Sequence, residues 1–245
     1  MAKGDKIAFV CSECGYDTPK WSGKCPSCGR WNTFVEQKIH DKSTEKHKTA
    51  FSNQTKAKSN LLSEIESIEE IRYNMHDSEL NRVLGGGLVK GSLILLGGEP
   101  GIGKSTLILQ TALQVKDKRI LYISGEESAR QIKLRAERLS AGNISDIDHL
   151  QILCETSLEN IYAQIKESDP EIVVVDSIQT ISTESAESSP GSITQVRECA
   201  ASLLKYAKES NTPVILIGHI TKEGSIAGPK ILEHIVDTVL QFEGD

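Results

Sequence analysis

One glycine-rich segment, residues 98–105, constrains the fold of this chain more than any other feature of its sequence. It matches the pattern G-x-x-x-x-G-K-[ST] at every fixed position, follows an apolar run and opens a segment of helical character. The glycines allow successive backbone N–H groups to point inward, and the N-terminus of the following helix adds the positive end of a dipole. The segment therefore predicts a phosphate-binding loop (Walker A) between a buried strand and a helix.

The predicted loop indicates ATP with Mg²⁺ as its ligands. The ammonium group of Lys104 can lie against the β- and γ-phosphates, and the hydroxyl group of Ser105 can bind the magnesium ion. A structural glycine turn with a solvated lysine is the alternative, which the flanking strand and helix disfavour. The expected nucleotide-binding residues are Gly98, Glu99, Pro100, Gly101, Ile102, Gly103, Lys104, Ser105 and Thr106.

Strand-like and helix-like segments alternate after residue 92. Strands are predicted near residues 92–97, 119–124, 149–154, 171–176, 213–218 and 235–242, and helices near 104–116, 128–139, 157–167 and 192–209. This order is typical of a mostly parallel sheet covered by helices, so the expected fold class is α/β. Because aromatic residues make up only 4% of the chain, the core is expected to be aliphatic.

Acidic residues follow two of the predicted strands, at the sheet edge where ligands bind in open parallel sheets. Asp176 ends an apolar run and fits the second magnesium ligand (Walker B), with Ser177 as a hydrogen-bonding neighbour; capping of the next segment is the alternative. Glu126 and Glu127 follow another strand, and one of them is expected to activate water. Both residues are alternatively first-turn helix acids. We assign catalysis to Glu126, together with Lys104 and Asp176.

Four of the six cysteines form two C-x-x-C pairs, each followed by a glycine. The predicted metal ligands are Cys11, Cys14, Cys25 and Cys28, at the spacing of a four-cysteine zinc site. Iron bound by the same thiolates is the chemical alternative. Since a segment this short cannot bury enough apolar surface to fold unaided, we expect the metal to be structural, with Trp21 and Trp31 packed around it.

The charge of the chain is unevenly distributed. Residues 1–60 carry 11 Lys and Arg against 6 Asp and Glu, whereas the remainder carries 17 against 28, a net charge of −11. Contact with nucleic acid must therefore come from local patches. We expect a zinc module at residues 1–35, a flexible polar and basic linker at 36–63, and the ATPase domain at 64–245.

Hydropathy and cysteine usage indicate the cellular compartment in which the protein is expected. No apolar stretch approaches the length needed to span a bilayer, and the N-terminus leads into no hydrophobic region of a signal peptide. Cysteines paired at metal-ligand spacing suit a reducing compartment. A cytoplasmic protein without a membrane partner is expected.

With these residues in place, the chain resembles the bacterial RadA (Sms) family of RecA-related DNA repair proteins. Besides the cysteine module and the phosphate loop, the resemblance rests on residues 80–88, 124–128, 175–180 and 218–224. It implies a RecA-like P-loop NTPase core that hydrolyses ATP, is stimulated by single-stranded DNA, and promotes branch migration with the RecA recombinase as a ring-shaped homo-oligomer. It also supports Glu126 as the water-activating acid.

The same resemblance implies DNA-binding loops near residues 182–192 and 221–230, which plain surface connections would equally explain. Lys222 becomes a candidate DNA contact, whereas Gln179 and His219 either sense the γ-phosphate or form ordinary hydrogen bonds. The family continues with a Lys-Asn-Arg-Phe-Gly motif and a Lon-protease-like domain that this sequence does not reach. A truncated chain is therefore expected, one that hydrolyses ATP slowly and forms no stable ring.

Three other functions fit parts of the sequence. The main alternative is an ATP-binding regulatory module without efficient turnover, because truncation can remove residues that a neighbouring subunit supplies. A P-loop phosphotransferase lacks support because no arginine-rich lid is evident. A metal-dependent DNA-binding protein with an ancillary P-loop is disfavoured by the acidic charge after residue 60.

Overall fold

A small antiparallel sheet precedes the larger one in the computed structural model, which describes residues 6–11, 16–39, 61, 63, 71–142, 147–219 and 232–244. The small sheet contains β1 (Lys6–Cys11), β2 (Asp17–Thr18) and β3 (Phe34–Ile39), in the order β2-β1-β3. The module boundary predicted after residue 35 falls inside β3, which pairs with β1 as far as Ile39. Apart from residues 61 and 63, the rest of the predicted linker lies outside the described residues.

A short hairpin leads into the larger domain. Its strands are β4 (Arg72–Tyr73) and β5 (Leu88–Val89), with helix α1 (Ser78–Val83) between them. The α1 helix begins where the side chain of Asp77 accepts a hydrogen bond from the Leu80 N–H group. The hairpin side chains Tyr73 and Leu88 are buried against the larger domain.

A six-stranded parallel sheet forms the centre of the domain. Its strands are β6 (Leu93–Gly98), β7 (Ile120–Ser124), β8 (Leu150–Cys154), β9 (Ile172–Asp176), β10 (Val214–His219) and β11 (Thr238–Phe242). They lie in the order β11-β6-β10-β9-β7-β8, and every neighbouring pair is parallel. The α/β fold expected from the strand–helix alternation is therefore confirmed.

Helices cover both faces of this sheet. They are α2 (Lys104–Gln114), α3 (Ala129–Leu139), α4 (Leu158–Ser168) and α5 (Ile193–Ser210). Because successive strand residues point to opposite faces, Val173 and Val175 of β9 pack with α4 and α5, whereas Ile172 and Val174 pack with α2 and α3. Among the described residues, no helix is long and apolar enough to cross a bilayer.

Candidate nucleotide site and metal ribbon

The loop between β6 and α2 has the backbone that its glycines predict. A Cβ atom on Gly98 would lie 2.6 Å from the carbonyl oxygen of Phe242 on the neighbouring strand β11, so only glycine fits there. Gly103 has φ +114° and is the N-cap of α2 without a side-chain hydrogen bond, whereas serine side chains cap α3, α4 and α5. The first-turn N–H groups of α2 are therefore not occupied by a capping side chain, the arrangement that binds phosphate.

Lys104 points back into this loop. Its ammonium group donates hydrogen bonds to the carbonyl oxygens of Gly98, at 2.8 Å, and of Glu99, at 2.7 Å, and the residue is 3% exposed. Burial lowers the pKa of Lys104, and the nearby carboxylates of Asp176 and Glu126 oppose that shift. The site therefore places a buried cation between the loop and two acidic side chains.

Asp176 lies at the carboxyl end of β9, beside the loop. The hydroxyl group of Ser105 donates to its Oδ1 atom at 3.0 Å, and the hydroxyl group of Tyr122 donates to its Oδ2 atom at 2.5 Å. Both carboxylate oxygens bond to these side chains, so capping of the next segment does not explain the position. A hydroxyl and a carboxylate oxygen are ligands that Mg²⁺ prefers, and the structure brings together the two that the sequence assigned to it.

Tyr122 is a site residue that sequence reasoning missed. It is fully buried in β7, and burial together with the adjacent Asp176 carboxylate raises the pKa of its hydroxyl group. The signal was present in the sequence, because a tyrosine inside an aliphatic strand needs a partner for its hydroxyl group. Tyr122 holds the Asp176 carboxylate from the side opposite Ser105.

Glu126 and Glu127 face different surroundings. The hydroxyl group of Ser177 donates to the Oε1 atom of Glu126 at 2.6 Å, and the Nε2 atom of His219 lies 3.4 Å from the same oxygen. Glu127 instead forms an ion pair with Arg135, at 2.8 Å. Of the two acids, Glu126 is thus the one connected to the end of β9 and to β10.

The alternative that both acids belong to the first turn of a helix is wrong. The α3 helix has its N-cap at Ser128, with a capping box to Gln131, so Glu126 and Glu127 precede the helix. The preceding Gly125 is tightly enclosed, since a Cβ atom there would lie 2.0 Å from the Oγ1 atom of Thr180. This close approach fixes the path of the chain just before Glu126.

His219 and Gln179, whose roles the sequence left open, both adjoin the site. His219 lies between Lys104 and Glu126, with its Nδ1 atom 3.4 Å from the Lys104 nitrogen. Gln179 donates to the carbonyl oxygen of His219 at 3.5 Å, and its Oε1 atom is buried without a partner in the part of the chain that the structure describes. Lys222 and residues 221–230 lie outside the described residues.

The other predicted DNA-binding loop, residues 182–192, is organised by one buried glutamine. The side-chain amide of Gln195 donates to the carbonyl oxygens of Thr183, Ala186 and Ser188. Its Oε1 atom accepts from the Thr183 N–H group at 2.9 Å. The loop is therefore held to α5 by its backbone.

The small antiparallel sheet and its connections, residues 6–39, form the metal ribbon, and its described cysteines cluster as a metal site requires. The Sγ atoms of Cys11, Cys25 and Cys28 all lie within 4.8 Å of one another, and those of Cys11 and Cys28 are 3.7 Å apart. Thiolates bound tetrahedrally at about 2.3 Å from zinc are separated by about 3.8 Å, so these residues fit the ion. Cys14, the fourth predicted ligand, lies outside the described residues.

The expectation that both tryptophans pack around the metal is wrong. Trp21 is 56% exposed and Trp31 is 68% exposed. Phe34, with partly buried Phe9, packs against the buried cysteines instead. A cluster this small leaves the two large rings outside its core.

Removal of the metal is expected to unfold the ribbon without unfolding the larger domain, since the ribbon's described core is limited to two cysteines and Phe34. Limited proteolysis followed by mass spectrometry should show new cleavage within residues 6–39 after chelation or in Cys25→Ser. Cys154→Ser, which changes an exposed cysteine outside the ribbon, is the matched control. A chelated ribbon that still resists the protease would contradict a structural role for the metal.

Comparisons with known proteins give separate family matches for the ribbon and for the larger domain. Residues 59–225 match the family described as the AAA domain, and residues 9–36 match the family described as the rubredoxin metal binding domain. The DNA repair protein RadA of Bacillus subtilis (strain 168) is 54% identical, and that of Pseudomonas aeruginosa is 48% identical, each over 100% of this chain and 53% of the relative. RadA of Aquifex aeolicus is 50% identical over 98% of this chain and 52% of its own length. The chain spans about half the length of these curated relatives.

Among solved structures, a KaiC-like protein from Pyrococcus horikoshii OT3 shares the fold. The two chains align with a TM-score of 0.54 and 21% identity, over 71% of this chain and 82% of that chain. The resemblance to RadA that the motifs indicate is confirmed by the relatives above. Because the family model matches residues 59–225, more than half of the chain, the chain belongs to the AAA domain family.

Proposed function

We propose that this chain is a DNA repair ATPase that binds ATP with magnesium in the loop at residues 98–105 and hydrolyses the β–γ anhydride bond. The observation that carries the proposal is the convergence of Lys104, Asp176 and Glu126 at one edge of the parallel sheet. His219 lies 3.4 Å from both Lys104 and Glu126, and Ser105 connects the loop to Asp176. A cation, a magnesium-binding pair and a base thus adjoin one phosphate-binding loop.

Each residue has one task in the proposed reaction. A water oxygen bonds to the γ-phosphorus while the bond from that phosphorus to the bridging oxygen breaks, giving ADP and phosphate. Glu126 accepts the proton of the water, and the Ser177 hydroxyl group holds the carboxylate in place. Lys104 stabilises the charge on the phosphates. Ser105 and Asp176 would hold magnesium, which neutralises charge on the triphosphate when bound.

The DNA partner and the reaction on DNA are inferred from the relatives. Their name, DNA repair protein RadA, supports DNA as a partner, and the family resemblance supports stimulation by single-stranded DNA and branch migration with the RecA recombinase. It supports a homo-oligomeric ring for the full-length protein. This chain spans about half the length of these relatives, so the activity of the whole protein is proposed for it by inference from them. The ribbon is proposed to hold zinc through its four cysteines.

ATP turnover measured with and without single-stranded DNA tests this function. We expect the purified chain to release phosphate from ATP, faster when an oligonucleotide is present, with a stimulation that falls as salt is raised, since backbone contacts release counterions. Nucleotide binding is measured in parallel with a fluorescent ATP analogue. Binding without turnover, with or without DNA, would instead support the regulatory module.

A further inference from the structure

Two exposed tryptophans on the metal ribbon are not used by the proposed ATPase chemistry. They are the only tryptophans in the 245-residue sequence, and each is more than half exposed. Two large aromatic rings exposed to solvent on a small folded module form an apolar patch of the kind that marks a ligand-binding or partner-binding site. The ring positions and the neighbouring charges indicate what that ligand is.

The two rings border one small space above Gly23. A Cβ atom on Gly23 would lie 3.7 Å from the Cζ3 atom of Trp31 and 3.8 Å from the Cη2 atom of Trp21. The Asn32 N–H group donates to the Gly23 carbonyl oxygen at 2.8 Å, and Lys24 forms an antiparallel bridge with Trp31. The backbone therefore holds Trp31 opposite Lys24, and the rings of both tryptophans lie beside Gly23, which carries no side chain.

Basic side chains flank these rings. Lys20 and Lys24 are exposed, and the Lys24 nitrogen lies 5.7 Å from the centre of the Trp31 ring. Residues 16–33 contain three basic residues and one acidic residue, in contrast to the acidic charge of the chain after residue 60. Lysine is depleted at protein–protein interfaces but neutralises phosphates in nucleic-acid complexes, so this charge favours nucleic acid over a protein partner.

We propose that Trp21 and Trp31 form a platform on which unpaired bases of single-stranded DNA stack, with Lys20 and Lys24 beside the phosphates. Every base presents a π-face, so this contact does not depend on sequence. Paired bases are already stacked in a duplex and cannot reach the rings. The proposal rests on the DNA partner of the proposed function and names the surface that contacts it.

Intrinsic fluorescence tests the platform directly, because both emitting rings belong to it. The metal-loaded chain is titrated without nucleotide against an oligothymidine, a duplex of equal length, and an abasic oligonucleotide that keeps the phosphates. We expect strong quenching by the oligothymidine and little by the other two. Trp31→Ala and Trp21→Ala are each expected to weaken oligothymidine binding about tenfold, measured by anisotropy of a labelled oligonucleotide.

Two controls separate stacking from general loss of structure. Trp31→Phe keeps an aromatic face and should recover most of the affinity, and bound metal should remain unchanged in every variant. Equal quenching by the abasic oligonucleotide, or alanine variants with unchanged affinity, would overturn the platform, as would a ribbon that captures protein but not DNA. Because no ATP is present, either result leaves the proposed ATPase to be judged by its own assay.

Discussion

Replacing Lys104 by alanine is expected to reduce ATP turnover by about a hundredfold or more, the loss typical of removing one group that stabilises charge in a transition state. The Lys104 nitrogen is held at the carbonyl oxygens of Gly98 and Glu99, inside the loop where phosphates are proposed to bind. Alanine leaves the charge of the γ-phosphate without this cation. Phosphate release at saturating ATP measures the effect.

Lys133→Ala is the matched control for this substitution. Lys133 is an exposed lysine on α3, so its removal changes the net charge equally without touching the loop. Thermal unfolding of both variants establishes that they are folded. Turnover by Lys104→Ala at the rate of the unaltered chain would show that the phosphates bind elsewhere.

The elements of the larger domain were predictable because their signals are local. Apolar runs such as residues 172–175 must be buried on both faces, and β9 occupies that run together with Asp176. The order of strands in the sheet was not predictable, since it depends on crossovers between distant segments. The hairpin of β4 and β5 was also missed, because strands of two residues have no periodicity.

The candidate site likewise combines residues that local sequence signals predict with contacts that depend on how distant segments pack. The loop pattern lies within eight consecutive residues. Asp176 and Glu126 could be located because ligands bind at the carboxyl ends of the strands in open parallel sheets. The contact of Tyr122 with Asp176 depends on β7 lying beside β9, which the sequence does not specify. The burial predicted for Trp21 and Trp31 failed because the described core of the ribbon contains only two cysteines and Phe34, which is too small to cover two indole rings.

Glu126→Gln is expected to lower the rate constant for ATP hydrolysis by about a hundredfold or more, the usual contribution of a general base. Glutamine keeps the size of the side chain and can still accept a hydrogen bond from Ser177, but its amide cannot take a proton from water. Since Glu126 lies outside the phosphate loop, the affinity for ATP should change little. Steady-state kinetics should therefore show a lower kcat, and a fluorescent ATP analogue should bind as before.

Glu127→Gln provides the comparison, because it removes the same charge one residue away. The carboxylate of Glu127 pairs with Arg135, a side chain whose Nε and Nη2 atoms are buried and have no hydrogen-bond partner among the described residues. Its loss leaves a poorly compensated buried cation, so the unfolding temperature should fall while kcat stays near that of the unaltered chain. Assays are run well below that temperature to keep the two effects apart. A large loss of kcat in Glu127→Gln, with Glu126→Gln still active, would reverse the assignment of the base.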